Sequence, residues 1–271
     1  MISGAARVAG VVGWPVAHSR SPRLHGHWLH RYGIDGAYVP LAVPPEMLAA
    51  AVDGLHAAGF RGLNVTLPHK VAVMALCDRI DDAARRIGAV NTLVFGPQGI
   101  EGRNTDGIGF VASLEAGGAL PPGPALVLGA GGAARAIAAA LLDRGMMVTV
   151  CNRSPDRANA LAAALPGVQT LPWDARVHAL GGFGLLVNTT QLGMAGQPPL
   201  GLALDAAAPG LVVADIVYVP LHTPLLAAAQ ARGLRTVGGI GMLLHQAAPG
   251  FAAWFGVVPV VDQALQDAVL G

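Results

Sequence analysis

The sequence predicts an α/β protein built from two units, with C-terminal helices that return to the first unit. Three observations predict it. Short apolar runs of strand type alternate with helical segments along the chain. A glycine-rich turn at 129–134 follows the apolar run 125–128 and opens a helical segment. A Gly/Pro stretch at 117–124 sets that turn apart from an earlier group of strands and helices that is complete in itself. The expected segments are residues 1–105, 106–237 and 238–271.

In chain order, residues 8–13 read as a strand, 22–32 as a helix and 36–43 as a strand. Residues 45–58 are helical, opening at Pro44-Pro45 and closing at Gly59. A short strand at 62–66 precedes a helix at 81–87 that ends at Gly88. Residues 90–95 form a strand, followed by a Gly-Pro-Gln-Gly turn at 96–99. The second group has a helix at 107–116, a buried strand at 125–128, a helix at 133–144 and a strand at 146–151. A helix at 154–165 starts with Ser154 as N-cap and Pro155 in its first position. Strands at 185–188 and 211–215, a helix at 221–232 and a last strand at 235–237 complete it. Beyond Gly241 the chain is helical again. Such alternation implies a parallel sheet covered on both faces.

Composition excludes several classes. Of 271 residues, 53% are hydrophobic and 12% charged, which no disordered chain could sustain. The net charge of +1 provides no field for nucleic acid. Residues 236–261 carry no charge, but five glycines, two prolines, His245 and Gln246 favour buried soluble structure over a membrane span. The apolar run 8–13 is cut off by Trp14-Pro15 and is not expected to act as a signal peptide. Two cysteines, Cys77 and Cys151, make no disulfide framework in a chain this long, so a reducing cytoplasm is expected.

The basic residues are sixteen arginines and one lysine, Lys70. An arginine cannot replace a lysine where an amine must exchange a proton. Lys70 therefore stands out as a candidate for chemistry.

The turn Gly129-Ala130-Gly131-Gly132-Ala133-Ala134 has the pattern G-x-G-x-x-A at a strand-to-helix junction. Its glycines permit a tight turn and close approach of a pyrophosphate at the helix N-terminus, the signature of a Rossmann dinucleotide site. An NAD site usually ends its second strand in Asp or Glu. Here Cys151 is followed by Asn152, Arg153 and Ser154, with Arg157 one turn into the helix. Arginines suit a 2′-phosphate, so the expected cofactor is NADP.

The first unit offers hydroxyls and amides. Ser19 and Ser21 open a helix, and Asn64-Val65-Thr66-Leu67-Pro68-His69-Lys70 ends a strand. Asn91-Thr92 and Asn104-Thr105-Asp106 add amides and a carboxylate. Each has a structural explanation alone: Ser21 an N-cap, Asn91 a turn, Asp106 a helix cap. Together they suit a small polyhydroxy substrate. Arg20 and Arg23 read as surface residues.

Taken together, these motifs resemble the shikimate dehydrogenase family. The likeness rests on Ser19-Arg20-Ser21-Pro22, Asn64–Lys70, Gly88-Ala89-Val90-Asn91-Thr92 and Asn104-Thr105-Asp106-Gly107. It continues through Gly129–Ala133, Asn152-Arg153-Ser154, Asp215-Ile216-Val217-Tyr218, Thr223-Pro224-Leu225-Leu226 and Gly241-Met242-Leu243-Leu244-His245-Gln246. They span nearly the whole chain in the family's order and spacing.

The resemblance implies an N-terminal substrate-binding domain, a Rossmann NADP domain, and reversible NADPH-dependent reduction of 3-dehydroshikimate to shikimate in aromatic amino-acid synthesis. It implies Lys70 as acid/base with Asp106 as its partner. Ser19, Ser21 and Tyr218 would hold the ring carboxylate, and Thr66, Asn91, Asp106 and Gln246 the hydroxyls. Gly129, Ala130, Gly131, Gly132, Ala133, Asn152, Arg153, Ser154, Arg157, Ile216 and Gly239 would hold the cofactor. No metal, nucleic acid or membrane partner is implied, and a monomer or homodimer is expected. Two departures stand out: Gly26 where the family more often has Asn, in what reads as a loop, and Gln191 where Ser is usual. The rival readings are a quinate/shikimate or aminoshikimate dehydrogenase of broader specificity, and a non-catalytic NADP-binding sensor on the same fold.

Overall fold

A computed structural model describes residues 2–118 and 120–271. It divides into two compact units: the chain up to Thr105 together with Gln246–Gly271, and Asp106–His245. Of the Gly/Pro stretch expected at 117–124, Ala119 lies outside the described residues.

In the first unit come β1 (Arg7–Gly13), α1 (Ser21–Arg31), β2 (Gly36–Ala42), α2 (Leu48–Ala57) and β3 (Gly62–Val65). They are followed by β4 (Arg79–Ile80), α3 (Asp82–Ile87), β5 (Thr92–Gly96) and β6 (Gly99–Arg103). The sheet order is β2-β1-β3-β5-β6-β4. Its centre is parallel, but β5 runs antiparallel to both β3 and β6, so this sheet is mixed. The turn at 96–99 closes the β5–β6 hairpin. Neither β6, Gly-Ile-Glu-Gly-Arg, nor the two-residue β4 carries a legible apolar period.

Local chemistry sets the helix ends. The Asp81 carboxylate accepts from Ala84 N–H at 2.6 Å and starts α3, and Gly88 ends it in the left-handed conformation at φ +73°. Two readings are corrected here. Ser21 is the first residue of α1, with Arg20 in the cap position. Gly26 lies inside α1, not in a loop, and a Cβ there would meet open space.

The second unit holds α4 (Asp106–Ala116), β7 (Ala125–Leu128), α5 (Gly132–Asp143), β8 (Val148–Cys151) and α6 (Pro155–Ala164). It continues with β9 (Val168–Leu171), α7 (Arg176–Ala179), β10 (Leu185–Asn188), β11 (Val212–Asp215), α8 (Pro224–Ala231) and β12 (Arg235–Gly238). The six strands are all parallel, in the order β12-β11-β10-β7-β8-β9. All four residues of β7, of β10 and of β11 are buried, as a sheet covered on both faces requires. Ser154 occupies the cap position of α6, yet among the described residues its side chain makes no capping bond.

Helix α9 (Gly239–Phe255) crosses the division between the units at His245/Gln246, and α10 (Gln263–Leu270) follows. In the first unit, alternation along the strands sorts two cores. Val12, Leu63, Val65, Leu93 and Phe95 face one side, packed with α2 and α3 residues. Gly62 and Asn64 face the other, toward an aromatic cluster of His25, Trp28, Tyr38, Phe251 and Trp254. Gly62 is required there: a Cβ would strike the Trp254 indole, whose Nε1 donates to Leu93 O at 2.9 Å. Arg20, expected on the surface, is half-buried and donates to Val269 O at 2.9 Å near the C-terminus of α10. Among the described residues, no helix is long and apolar enough to cross a membrane.

Candidate functional site

Of the polar residues singled out in the first unit, Asn64, Asn91, Thr92, Thr105 and Gln246 form one hydrogen-bonded network. Pairing of Asn64 with Thr92 across β3 and β5 places two polar side chains on one face of a buried sheet. Asn64 Oδ1 accepts from the Tyr38 hydroxyl at 2.6 Å, and its amide lies 3.3 Å from the Thr92 hydroxyl. Thr92 donates to Asn91 Oδ1 at 2.9 Å. Asn91 in turn donates to the Thr105 hydroxyl at 3.0 Å and to Gln246 Oε1 at 3.4 Å, while its Oδ1 accepts from Thr105 N–H at 3.0 Å. Thr105 closes the chain by donating to Gln246 O at 2.8 Å. Asn64, Asn91, Thr92 and Thr105 are all buried. Fully paired networks of this kind hold amides in one orientation.

Lys70 is half-buried and is tied to the chain next to this network through its backbone. Its carbonyl accepts from Val90 N–H at 2.8 Å, directly before Asn91. The preceding residue, His69, is buried and its Nε2 lies 2.8 Å from Val43 O, so the turn is fastened on both sides. Thr66 is half-buried, with its N–H donating to Val12 O at 2.9 Å. Ser21 is buried at the start of α1 and its N–H donates to the Ser19 hydroxyl at 3.3 Å.

Tyr38 stacks on His25 with ring centroids 3.9 Å apart. Burial holds the Tyr38 phenol well above its ordinary range, against a bond with Ser21. Burial also pulls His25 down to about 3, so its ring is neutral. Thus Ser19, Ser21, Thr66, Lys70, Asn91 and Gln246 belong to one unit. Asp106, buried at the start of α4, and the half-buried Tyr218 belong to the other.

In the second unit the glycine turn follows β7, where the strand order reverses toward β10, the usual place for a ligand in an open α/β sheet. Gly129 has φ +114° and lies against the Thr189 side chain, which leaves no space for a Cβ. Gly131 and Gly132 differ: a Cβ built on either meets nothing within 4 Å. They line an open cradle at the N-terminus of α5, whose first N–H groups have no partner within the helix. Asn152 is half-buried and donates to Ser154 O at 3.0 Å; Arg153 and Arg157 are exposed. No carboxylate occupies positions 152–154, at the end of β8. The cradle and the two arginines fit a dinucleotide with a 2′-phosphate. Ile216 N–H donates to Asn188 O at 3.1 Å, and Gly239 packs on the Ile216 and Val217 backbone. Gln191 is exposed.

Sequence reasoning singled out Asn64, Asn91, Thr92, Thr105 and Gln246, but not Tyr38. Tyr38 joins them from β2, two strands away, through its bond to Asn64. The legible signal was Asn64, a polar residue within the otherwise apolar run Leu63–Val65.

Comparison with known proteins fits this geometry. Residues 11–93 match the family described as shikimate dehydrogenase substrate binding domain, and residues 116–191 the family shikimate / quinate 5-dehydrogenase. A shikimate dehydrogenase (NADP(+)) of Acidiphilium cryptum is 67% identical over 270 residues, covering 99% of this chain and 98% of its own. The crystal structure of shikimate 5-dehydrogenase from Thermus thermophilus in complex with NADP(H) and shikimate is 40% identical, with TM-score 0.90. That match covers 97% of this chain and 98% of the other. Quinate dehydrogenase from Corynebacterium glutamicum in complex with NAD is 30% identical over 98% of this chain and 99% of its own, with TM-score 0.91. On whole-length identity and on the two matched domains, this chain belongs to the shikimate dehydrogenase family.

Proposed function

We propose that this chain catalyses the reversible NADPH-dependent reduction of 3-dehydroshikimate to shikimate. The likeness over the whole chain, and not over one motif, carries this reading. Bound NADPH supplies a hydride from nicotinamide C4 to the ring carbonyl carbon. Negative charge then develops on the carbonyl oxygen. The Lys70 ammonium stabilises that charge and delivers the proton, and Asp106 orients lysine and substrate. In the reverse direction Lys70 takes the proton back as an amine.

Ser19, Ser21 and Tyr218 hold the ring carboxylate; Thr66, Asn91, Asp106 and Gln246 hold the hydroxyls. The network behind Asn91 supports this assignment, because it fixes both amide ends before substrate arrives. Gly129–Ala133 receive the pyrophosphate, Asn152, Arg153, Ser154 and Arg157 the 2′-phosphate, and the backbone at Ile216 and Gly239 the nicotinamide. The enzyme works in the cytoplasm, with Cys77 and Cys151 as free thiols, as a monomer or homodimer.

Nicotinamide absorbance at steady state tests the reading, with shikimate and quinate each offered against NADP and NAD. We expect turnover with shikimate and NADP at least tenfold above every other pair. Comparable turnover with quinate or NAD would move the protein to the broader-specificity group and remove the argument from Arg153 and Arg157. No turnover with any pair would leave a cofactor-binding sensor.

A further inference from the structure

Asp215 is the most buried carboxylate of the second unit, 1% exposed at the end of β11, and the chemistry above does not use it. Among the described residues no arginine or lysine is bonded to it. Its Oδ1 accepts from Asn188 Nδ2 at 3.0 Å and from Val217 N–H at 3.0 Å, and its Oδ2 from the Thr223 hydroxyl at 2.8 Å. Burial raises its pKa, and these three donors oppose the rise. Such a group is costly to bury without full hydrogen bonding, so what it fastens is informative.

Each donor belongs to a different turn. Asn188 ends β10, and its Oδ1 accepts from Thr190 N–H at 3.1 Å and from the Thr190 hydroxyl at 2.7 Å. Val217 lies in the turn after β11. Thr223 caps α8, accepting from Leu226 N–H at 3.3 Å. These residues and their neighbours pack on two glycines assigned to the cofactor: Gly129 lies against Thr189, and Gly239 against Ile216 and Val217.

We propose that Asp215 is a positioning residue for the nicotinamide end of the site, holding the turns after β10 and β11 in the arrangement on which Gly129 and Gly239 pack. The proposal rests on the NADP reading above. It assigns Asp215 to one half of the cofactor, because Arg153 and Arg157 follow β8, in the turn and in α6, and β8 lies on the opposite side of β7 from β10.

The test compares Asp215→Ala and Asp215→Asn with the parent protein, with thermal unfolding as a check on folding. Amide hydrogen exchange is followed at 189–194 and 216–220 without ligand. In parallel, kcat and the inhibition constant of 2′,5′-ADP, which carries only the adenosine half, are measured. For Asp215→Ala we expect exchange in both segments to rise at least tenfold and kcat to fall tenfold or more. The 2′,5′-ADP constant should stay within twofold. Asp215→Asn keeps an oxygen toward Asn188 and Val217 and should restore most of kcat.

Unchanged protection, an unchanged kcat, or a loss of 2′,5′-ADP affinity that parallels the loss of kcat would overturn the proposal. If Asp215→Ala does not fold, Asp215→Asn and Thr223→Val carry the test. Severalfold lower kcat in Thr223→Val with unaltered 2′,5′-ADP binding supports the proposal, and unaltered kcat overturns it. A parent inactive with every substrate pair would defeat the functional reading, while the exchange comparison would still decide the role of Asp215.

Discussion

Lys70 is one lysine among seventeen basic residues, and its turn is fastened through Lys70 O to Val90 and through His69 to Val43. If it delivers the proton, charge alone will not replace it. Lys70→Arg should keep NADPH affinity, read by nicotinamide fluorescence, and lose about 10²- to 10⁴-fold in kcat. Activity near the parent level would mean that the residue only positions substrate. His25 gives a second residue-scale prediction. Its folded pKa of about 3 lies below the ordinary 6.5, so the unfolded chain takes up a proton that the native state refuses. Its contribution is complete above pH 6.5 and is lost as pH falls toward 3, at roughly 1.4 kcal/mol per pH unit. His25→Phe keeps an aromatic ring against Tyr38 and removes the titration. Urea unfolding at pH 7.5 and 4.5 should show the parent losing about 2.5 kcal/mol more than the variant between those conditions. Parallel losses would show that His25 is protonated in the native protein.

Elements place these residues by contacts that single positions control. Helix α4 begins at Asp106 and lies close against α5 because its second residue is glycine. A Cβ at Gly107 would stand 2.6 Å from Ala136 O and 2.9 Å from Ala140 Cβ. Gly107→Ala must therefore push the two helices apart, costing about 1–3 kcal/mol, and shift Asp106 with them. A lower urea midpoint together with a lower kcat is the expected outcome; an unmoved midpoint would show that α4 adjusts freely. The end of α3 at Gly88 was legible, whereas Ser21 and Ser154, read as caps, make no capping bond among the described residues. Asp81, Gly88 and Thr223 act as caps through side chains or φ values that depend on three or four neighbouring residues. The β4 and β6 strands were not legible, because their formation depends on pairing with each other and with β5 more than on their own apolar content.

At the scale of the whole molecule, this backbone is equally close to a shikimate and to a quinate dehydrogenase structure. Backbone likeness therefore does not choose the substrate, and the choice falls to side chains. The chain builds the first unit from both of its ends: α9 leaves the second unit at His245 and enters the first at Gln246. Trp254 on Leu93, Arg20 at the end of α10 and Arg7 donating to Phe255 O at 2.6 Å then tie the C-terminal helices to the first strands. These ties join residues more than 150 positions apart. No local pattern could announce them.

Local chemistry settled much of this protein before any folding was considered. The α/β alternation, the glycine turn after β7, the arginines in place of a carboxylate after β8 and the single lysine all follow from side-chain types at short spacing. They were legible because turn formation, capping and phosphate recognition act over a few residues. Three-dimensional packing settled the rest. It made Asn64 the partner of Tyr38, put Arg20 at a helix end instead of in solvent, and buried Asp215 among three donors. Those outcomes depend on strand register and on the enclosure of polar groups by distant segments, where the cost of an unpaired buried group selects the partner.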